Sequence, residues 1–246
     1  MAGIYPLSRE GGPRSERFTA YVALAAHGWG FSAYNPMAGS HAAEAVQHLL
    51  AIDAERLAHE AASEVAAGCS YYGDITLAVV VSAHGMWTDR LATEVQHRTV
   101  AERKAGHGLV LQWSKEPVSA PDLRREVAAE AVRVMWTTLH PARPTLASVL
   151  AREGLAYALA GSPFGLPADD DARRVAEALG VLGASTDVGD IAPVLYGDPA
   201  ASAHGWPLLG IGEHGGFRWA IARAEASIRG VGAAATLRHA ALPTLA

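Results

Sequence analysis

Three short apolar runs alternate with helix-like segments over the first 113 residues, and that order constrains the fold more than any other feature. The clearest run is Asp74 to Ser82 (DITLAVVVS), continuously apolar and rich in β-branched residues, as expected of a strand covered on both faces. Phe18 to Ala26 (FTAYVALAA) and Gly108 to Trp113 (GLVLQW) are the other two. Between them the spacing predicts one helix from Ser40, its N-cap, to Gly68, its stop, and a second from Thr88 or Asp89 to Ala105. Parallel strands need crossover connections of this size, so the alternation predicts a mostly parallel sheet. The expected class is α/β: a Rossmann-like three-layer domain with extra helices in its second half.

That second half predicts helices over 121–139 and 144–160, split by Pro141 and Pro144, and a shorter one over 170–182. A strand from Ile191 to Tyr196, a glycine-rich stretch and a helix from Trp219 to Arg229 follow. The consecutive helices after residue 115 suggest an insertion or a cap. The expected division is a flexible lead-in over 1–17, a single α/β domain over 18–232 and a C-terminal tail over 233–246. A chain of 246 residues buries roughly 70% or more of its unfolded surface and needs no covalent staple. The single cysteine, Cys69, excludes a disulfide framework and any cysteine-based zinc or iron–sulfur site.

A formal net charge of -5 argues against a polycation that coats nucleic acid, and no DNA partner is expected. The opening residues carry no apolar signal core, and no run approaches the ~18 apolar residues of a spanning helix. A cytoplasmic protein with no membrane partner is the expectation.

Ligands of open α/β sheets bind beyond the carboxyl ends of the strands. The first strand runs into His27-Gly28-Trp29-Gly30-Phe31-Ser32-Ala33-Tyr34-Asn35 and the second into His84-Gly85. Gly30, Ser32 and Asn35 form a G-x-S-x-x-N pattern in which small residues admit a ligand, the hydroxyl offers a nucleophile and the amide orients it. Glycine, serine and asparagine are also ordinary turn residues. Far downstream, Tyr157 to Pro163 is a helix-borne Y-x-x-x-x-x-P.

In that order the two patterns resemble the signatures of the cyclodipeptide synthases, which join amino acids from two charged tRNAs into a diketopiperazine on a Rossmann-like domain. The resemblance implies Ser32 as the residue that carries the aminoacyl group, Gly30 and Asn35 shaping the loop, and Tyr157 positioning the substrate amine. It implies aminoacyl-tRNA as substrate and partner, and no cofactor. Two departures stand out: Gly161 occupies the place of the family's glutamate, and His27 lies one residue closer to the glycine than in the family pattern. Glu153, four residues before Tyr157 and so on the same helical face, is the candidate carboxylate in its stead. tRNA would need a cationic surface, for which Arg90, Arg98, Arg103, Lys104, Arg124, Arg125 and Arg133 are the candidates, unless they are a solvated helix face.

Histidine supplies the competing constellation. Five of the 11 histidines precede glycine: His27, His84, His107, His204 and His214. His27, His84, His204 and His214 could hold a divalent metal, with Glu213 or Asp89 as carboxylate ligand. The E-x-x-H spacing of Glu94 and His97 belongs to helical bundles instead. A third expectation is a non-catalytic accessory or binding homologue, which Gly161 favours. Gly210 to Gly216 lacks both dinucleotide and P-loop patterns, so no nucleotide cofactor is expected. Asp169-Asp170-Asp171 is accounted for as a helix cap matched to the dipole.

Overall fold

A computed structural model describes residues 40–82, 90–99 and 106–239. Two of the expected strands fall within them. β1 (Thr76–Ser82) and β2 (His107–Trp113) pair in parallel, from Thr76 opposite His107 to Ser82 opposite Trp113. One helix, α3 (Arg90–Thr99), lies between them in the chain. The described residues are mixed α/β, mostly helical, with this parallel pair as their sheet. The expected first strand, Phe18 to Ala26, lies outside them.

The helix expected over 40–68 is two helices, α1 (Ser40–Ala51) and α2 (Ala54–Gly68). They break at Asp53, which takes a left-handed φ of 54°, a conformation that Asp tolerates better than most residues. Its carboxylate accepts from Arg56 Nε at 2.8 Å, holding the new helix start.

α4 (Ala120–Leu139) and α5 (Leu146–Ala160) are the centre of the core rather than a cap or an insertion. α4 is buried all round from Ala129 to Trp136, and α5 from Leu146 to Tyr157 with Ser148 and Ala147 at its edge, as expected of helices covered on every side. Ser119 caps α4 by accepting from Asp122 N, and Thr145 with Ser148 forms a capping box on α5. α5 is flanked by α4 on one side and by α9 (Gly215–Val231) on the other. The second contact requires Gly154: a Cβ there would lie 2.4 Å from the carbonyl oxygen of Ala220.

α6 (Asp169–Leu182), α7 (Val188–Tyr196), α8 (Asp198–His204) and α10 (Ala233–Arg238) complete the described elements. α7 replaces the strand expected from Ile191 to Tyr196. All six of those residues are buried, so the apolar run carried no periodicity to separate helix from strand, and Asp187 capping Gly189 N starts a helix. The segment expected to be a tail from 233 opens with α10, whose Leu237 and Thr236 are buried. Among the described residues no helix is long and apolar enough to cross a membrane.

Candidate functional site

A cleft of about 460 Å³ runs along β2 from Leu109 to Trp113 and on to the loop at its carboxyl end. α3, β2 with its following loop, and one face of α4 form its walls; Tyr157, Phe164, Tyr196, His214 and Phe217 close its inner end. The location is the one that a parallel sheet offers to a ligand. The aromatic wall is built edge to face: Tyr157 meets Phe164 at 5.4 Å and Phe217 at 6.2 Å, and Tyr196 meets Phe217 at 5.2 Å between ring centroids.

Behind that wall lies a buried charge network centred on Glu153, which is fully buried. Its Oε2 accepts from Arg98 Nη1 at 2.5 Å and from Arg133 Nε at 2.9 Å, and its Oε1 accepts from Arg152 Nε at 3.1 Å. Burial alone would push this carboxyl up, but the Arg133, Arg98 and Arg152 guanidiniums outweigh it and hold it far below the usual carboxylate range. Glu153 is therefore ionised at neutral pH. Arg133 also donates to Glu130 at 3.3 Å, and Glu130 in turn faces His97 at 3.7 Å and accepts from Leu109 N.

Arg98 ties the network to the cleft. Its Nη2 donates to the Tyr157 hydroxyl and its Nε to the Tyr196 hydroxyl, each at 3.1 Å. Arg133 and Arg98 lie over the Tyr157 ring at 5.0 and 5.7 Å from its centroid. Burial drives the Tyr196 hydroxyl well above the ordinary tyrosine value against the opposing pull of Arg98, so it is a neutral donor at any physiological pH. Burial likewise pushes His214 below its ordinary value.

Of the residues singled out in the sequence, Tyr157 lines the cleft, as do His214, Arg90, Arg98, Arg125 and Arg133. Glu153 is one turn away on the same helix, yet it does not line the cleft, and its oxygens hold arginines. Gly161 ends α5 at φ 89° and ψ 123°. A glutamate could occupy this backbone only under strain, although the space around it is open. His27, Gly30, Ser32, Asn35, His84 and Asp89 lie outside the described residues.

The two histidines of the metal alternative that are described do not meet a ligand set. His204 stacks on Trp206 at 4.8 Å, and His214 packs against Phe164 at 4.9 Å. Among the described residues there is no group of three histidine, cysteine or carboxylate side chains able to hold a metal ion.

The cationic surface expected on α3 and α4 is corrected in part. Arg133 is buried and Arg98 is half-buried, and both turn to Glu153. Arg90 pairs with Glu94 and Glu116, Arg124 with Glu60 and Glu64, and Arg125 with Asp122. Arg103 and Lys104 lie outside the described residues.

Other sequence features resolve differently. Asp171 is not a helix cap: it turns inward and accepts from Gly212 N at 2.7 Å. Asp198 accepts from Leu209 N and Gly210 N at 2.8 and 2.9 Å. The glycine-rich loop thus spends these amides on the chain's own carboxylates. Cys69 is buried and its thiol is pushed up by burial, so it serves as an apolar filler.

Sequence reasoning missed Arg152, Tyr196 and Phe217 altogether and read Arg98 and Arg133 as surface cations. The available signal was position: Arg152 and Glu153 are charges embedded in a helix that is otherwise apolar on every face. Comparison with family models, with curated proteins and with solved structures gave no match.

Proposed function

We propose that this chain is a biosynthetic aminoacyl transferase resembling the cyclodipeptide synthases. The finer fold belongs to the same proposal: β1 and β2 are part of a Rossmann-like three-layer domain, to which Phe18 to Ala26 adds a strand. On this reading Ser32 is the nucleophile. Its hydroxyl attacks the ester carbonyl of an aminoacyl-tRNA; the ester C–O bond breaks, and the terminal ribose oxygen leaves with the proton that the serine gives up. The amine of a second aminoacyl-tRNA then attacks the acyl-serine, its proton passing to the departing serine oxygen; the free amine of the resulting dipeptidyl ester closes on the remaining ester carbonyl, and its proton leaves with the ribose oxygen. The ester is already an activated donor, so the site must chiefly position its partners.

The observation that supports this reading is Tyr157, which lines a cleft running along β2 to the loop that follows it and accepts from Arg98 through its hydroxyl. The test is intact-mass spectrometry after incubation with a mixture of aminoacyl-tRNAs. An acyl adduct on the wild-type chain that is absent from Ser32→Ala, or a released cyclic dipeptide, is expected. Full activity in Ser32→Ala, or neither adduct nor product from the wild type, overturns the proposal. The second result is what a non-catalytic homologue gives. That alternative is favoured by Gly161 and by a Glu153 already engaged with three arginines.

A further inference from the structure

One donor of the buried network is unused. Among the described residues Arg98, Arg133 and Arg152 share the carboxylates of Glu130 and Glu153, and Glu94 and Glu126 line the same cleft. Arg133 is 3% exposed and lines the cleft, yet its Nη2 is a buried donor with no hydrogen-bond partner among the described residues. A buried donor left unmade costs about 1–3 kcal/mol, more when it is charged. Next to it the Tyr157 hydroxyl accepts from Arg98, and its own proton reaches Glu126 Oε2 at a long 3.4 Å. Arg133 stacks on the Tyr157 ring, so the two donors share one stretch of the cleft wall.

We infer that this inner end of the cleft is a carboxylate subsite, in which Arg133 Nη2 and the Tyr157 hydroxyl bind the terminal carboxylate of a small acid. Glu94, Glu126 and Glu130 line the same cleft, so a phosphate dianion meets about twice the repulsion that a carboxylate does. Two donors on one wall suit the two oxygens of a planar carboxylate. The carboxylate is carried either by a free acidic amino acid or dicarboxylate, or by the acidic side chain of an aminoacyl group. The subsite stands without the acyl-transfer reading: a Ser32 that never acylates leaves dicarboxylate binding intact.

The experiment is isothermal titration of the full chain with glutarate, with its neutral counterpart glutaramide, and with inorganic phosphate. Glutarate is expected to bind at least tenfold more tightly than either. Tyr157→Phe, which keeps the ring packing, weakens glutarate about fivefold, and Arg133→Lys, which keeps the charge but loses the fork, about tenfold. Competition against bound glutarate identifies the source. Glutamyl-tRNA displacing it at lower concentration than free glutamate assigns the subsite to an aminoacyl side chain; the reverse order assigns it to a free acid. Equal affinity for glutarate and glutaramide, tighter phosphate, no binding at millimolar glutarate, or unchanged affinity in a folded Tyr157→Phe overturns the inference.

Discussion

Glu153→Gln tests whether the network is held by charge rather than by shape. The substitution keeps the side-chain volume, so no cavity is opened. The amide retains one acceptor oxygen in place of two, while Arg98 and Arg133 approach one edge of the carboxylate and Arg152 the other. Whichever way it is turned, an NH2 group faces a guanidinium. The three guanidiniums lose the one negative charge that they share. Breaking a buried ion pair by removing one partner costs about 3–5 kcal/mol, against a total stability on the order of 5–15 kcal/mol for a typical protein.

Urea denaturation followed by circular dichroism reads this loss as a lower midpoint at unchanged slope. The pH dependence supplies an internal check. The folded value of Glu153 is depressed, so its stabilisation is complete above the ordinary carboxyl value of about 4.5 and is lost as pH falls towards the folded value. The gap between wild type and variant is therefore constant from about pH 7 to 5 and narrows only in stronger acid. Arg152→Met added to Glu153→Gln removes one of the three guanidiniums and recovers part of the loss. A loss under about 1 kcal/mol at pH 7, or a gap that closes between pH 7 and 5, refutes the argument.

Gly154→Ala forces α5 and α9 apart at the Ala220 carbonyl; a cost of about 1–3 kcal/mol is expected as a fall in melting temperature. Tyr196→Phe leaves Arg98 Nε without its acceptor and costs about 1–3 kcal/mol at pH 7. Because the folded Tyr196 value is raised, the wild type loses stability as pH climbs past about 10, and the variant, measured by urea midpoints from pH 9 to 11, loses less. Gly161→Glu restores the family's residue type but pays about 1–3 kcal/mol for its backbone conformation. A Gly161→Glu chain that melts at the wild-type temperature contradicts the argument from φ.

The sequence made β1, β2, α4, α5 and α6 legible because each has either a short apolar run or a clear start and stop. Asp53 and Ile191 to Tyr196 were not legible for opposite reasons. The break at Asp53 is a single left-handed residue inside an otherwise unbroken helical pattern, and α7 is an apolar run too short to show a period. The sequence named Tyr157, His214 and several arginines of the cleft, but not the contacts that join them. Arg98 and Arg133 read as solvated cations because their partner Glu153 is 55 and 20 residues away, and spacing along a helix reveals only neighbours three or four apart.

The same distance argument explains why Glu153 was given the wrong neighbours. On α5 it shares a face with Tyr157, and that much the helical period dictates. What the face meets is decided by α4 and by α3, which bring guanidiniums and no substrate-sized space. A carboxylate in the family's place, one turn beyond Tyr157, would need a backbone that α5 ends before reaching. Around Tyr157 the cleft therefore sets the guanidiniums of Arg98 and Arg133 beside the carboxylates of Glu126 and Glu130. The aromatic wall tolerates that arrangement because Arg98 and Arg133 lie over ring faces, where a cation is stabilised without a counter-ion.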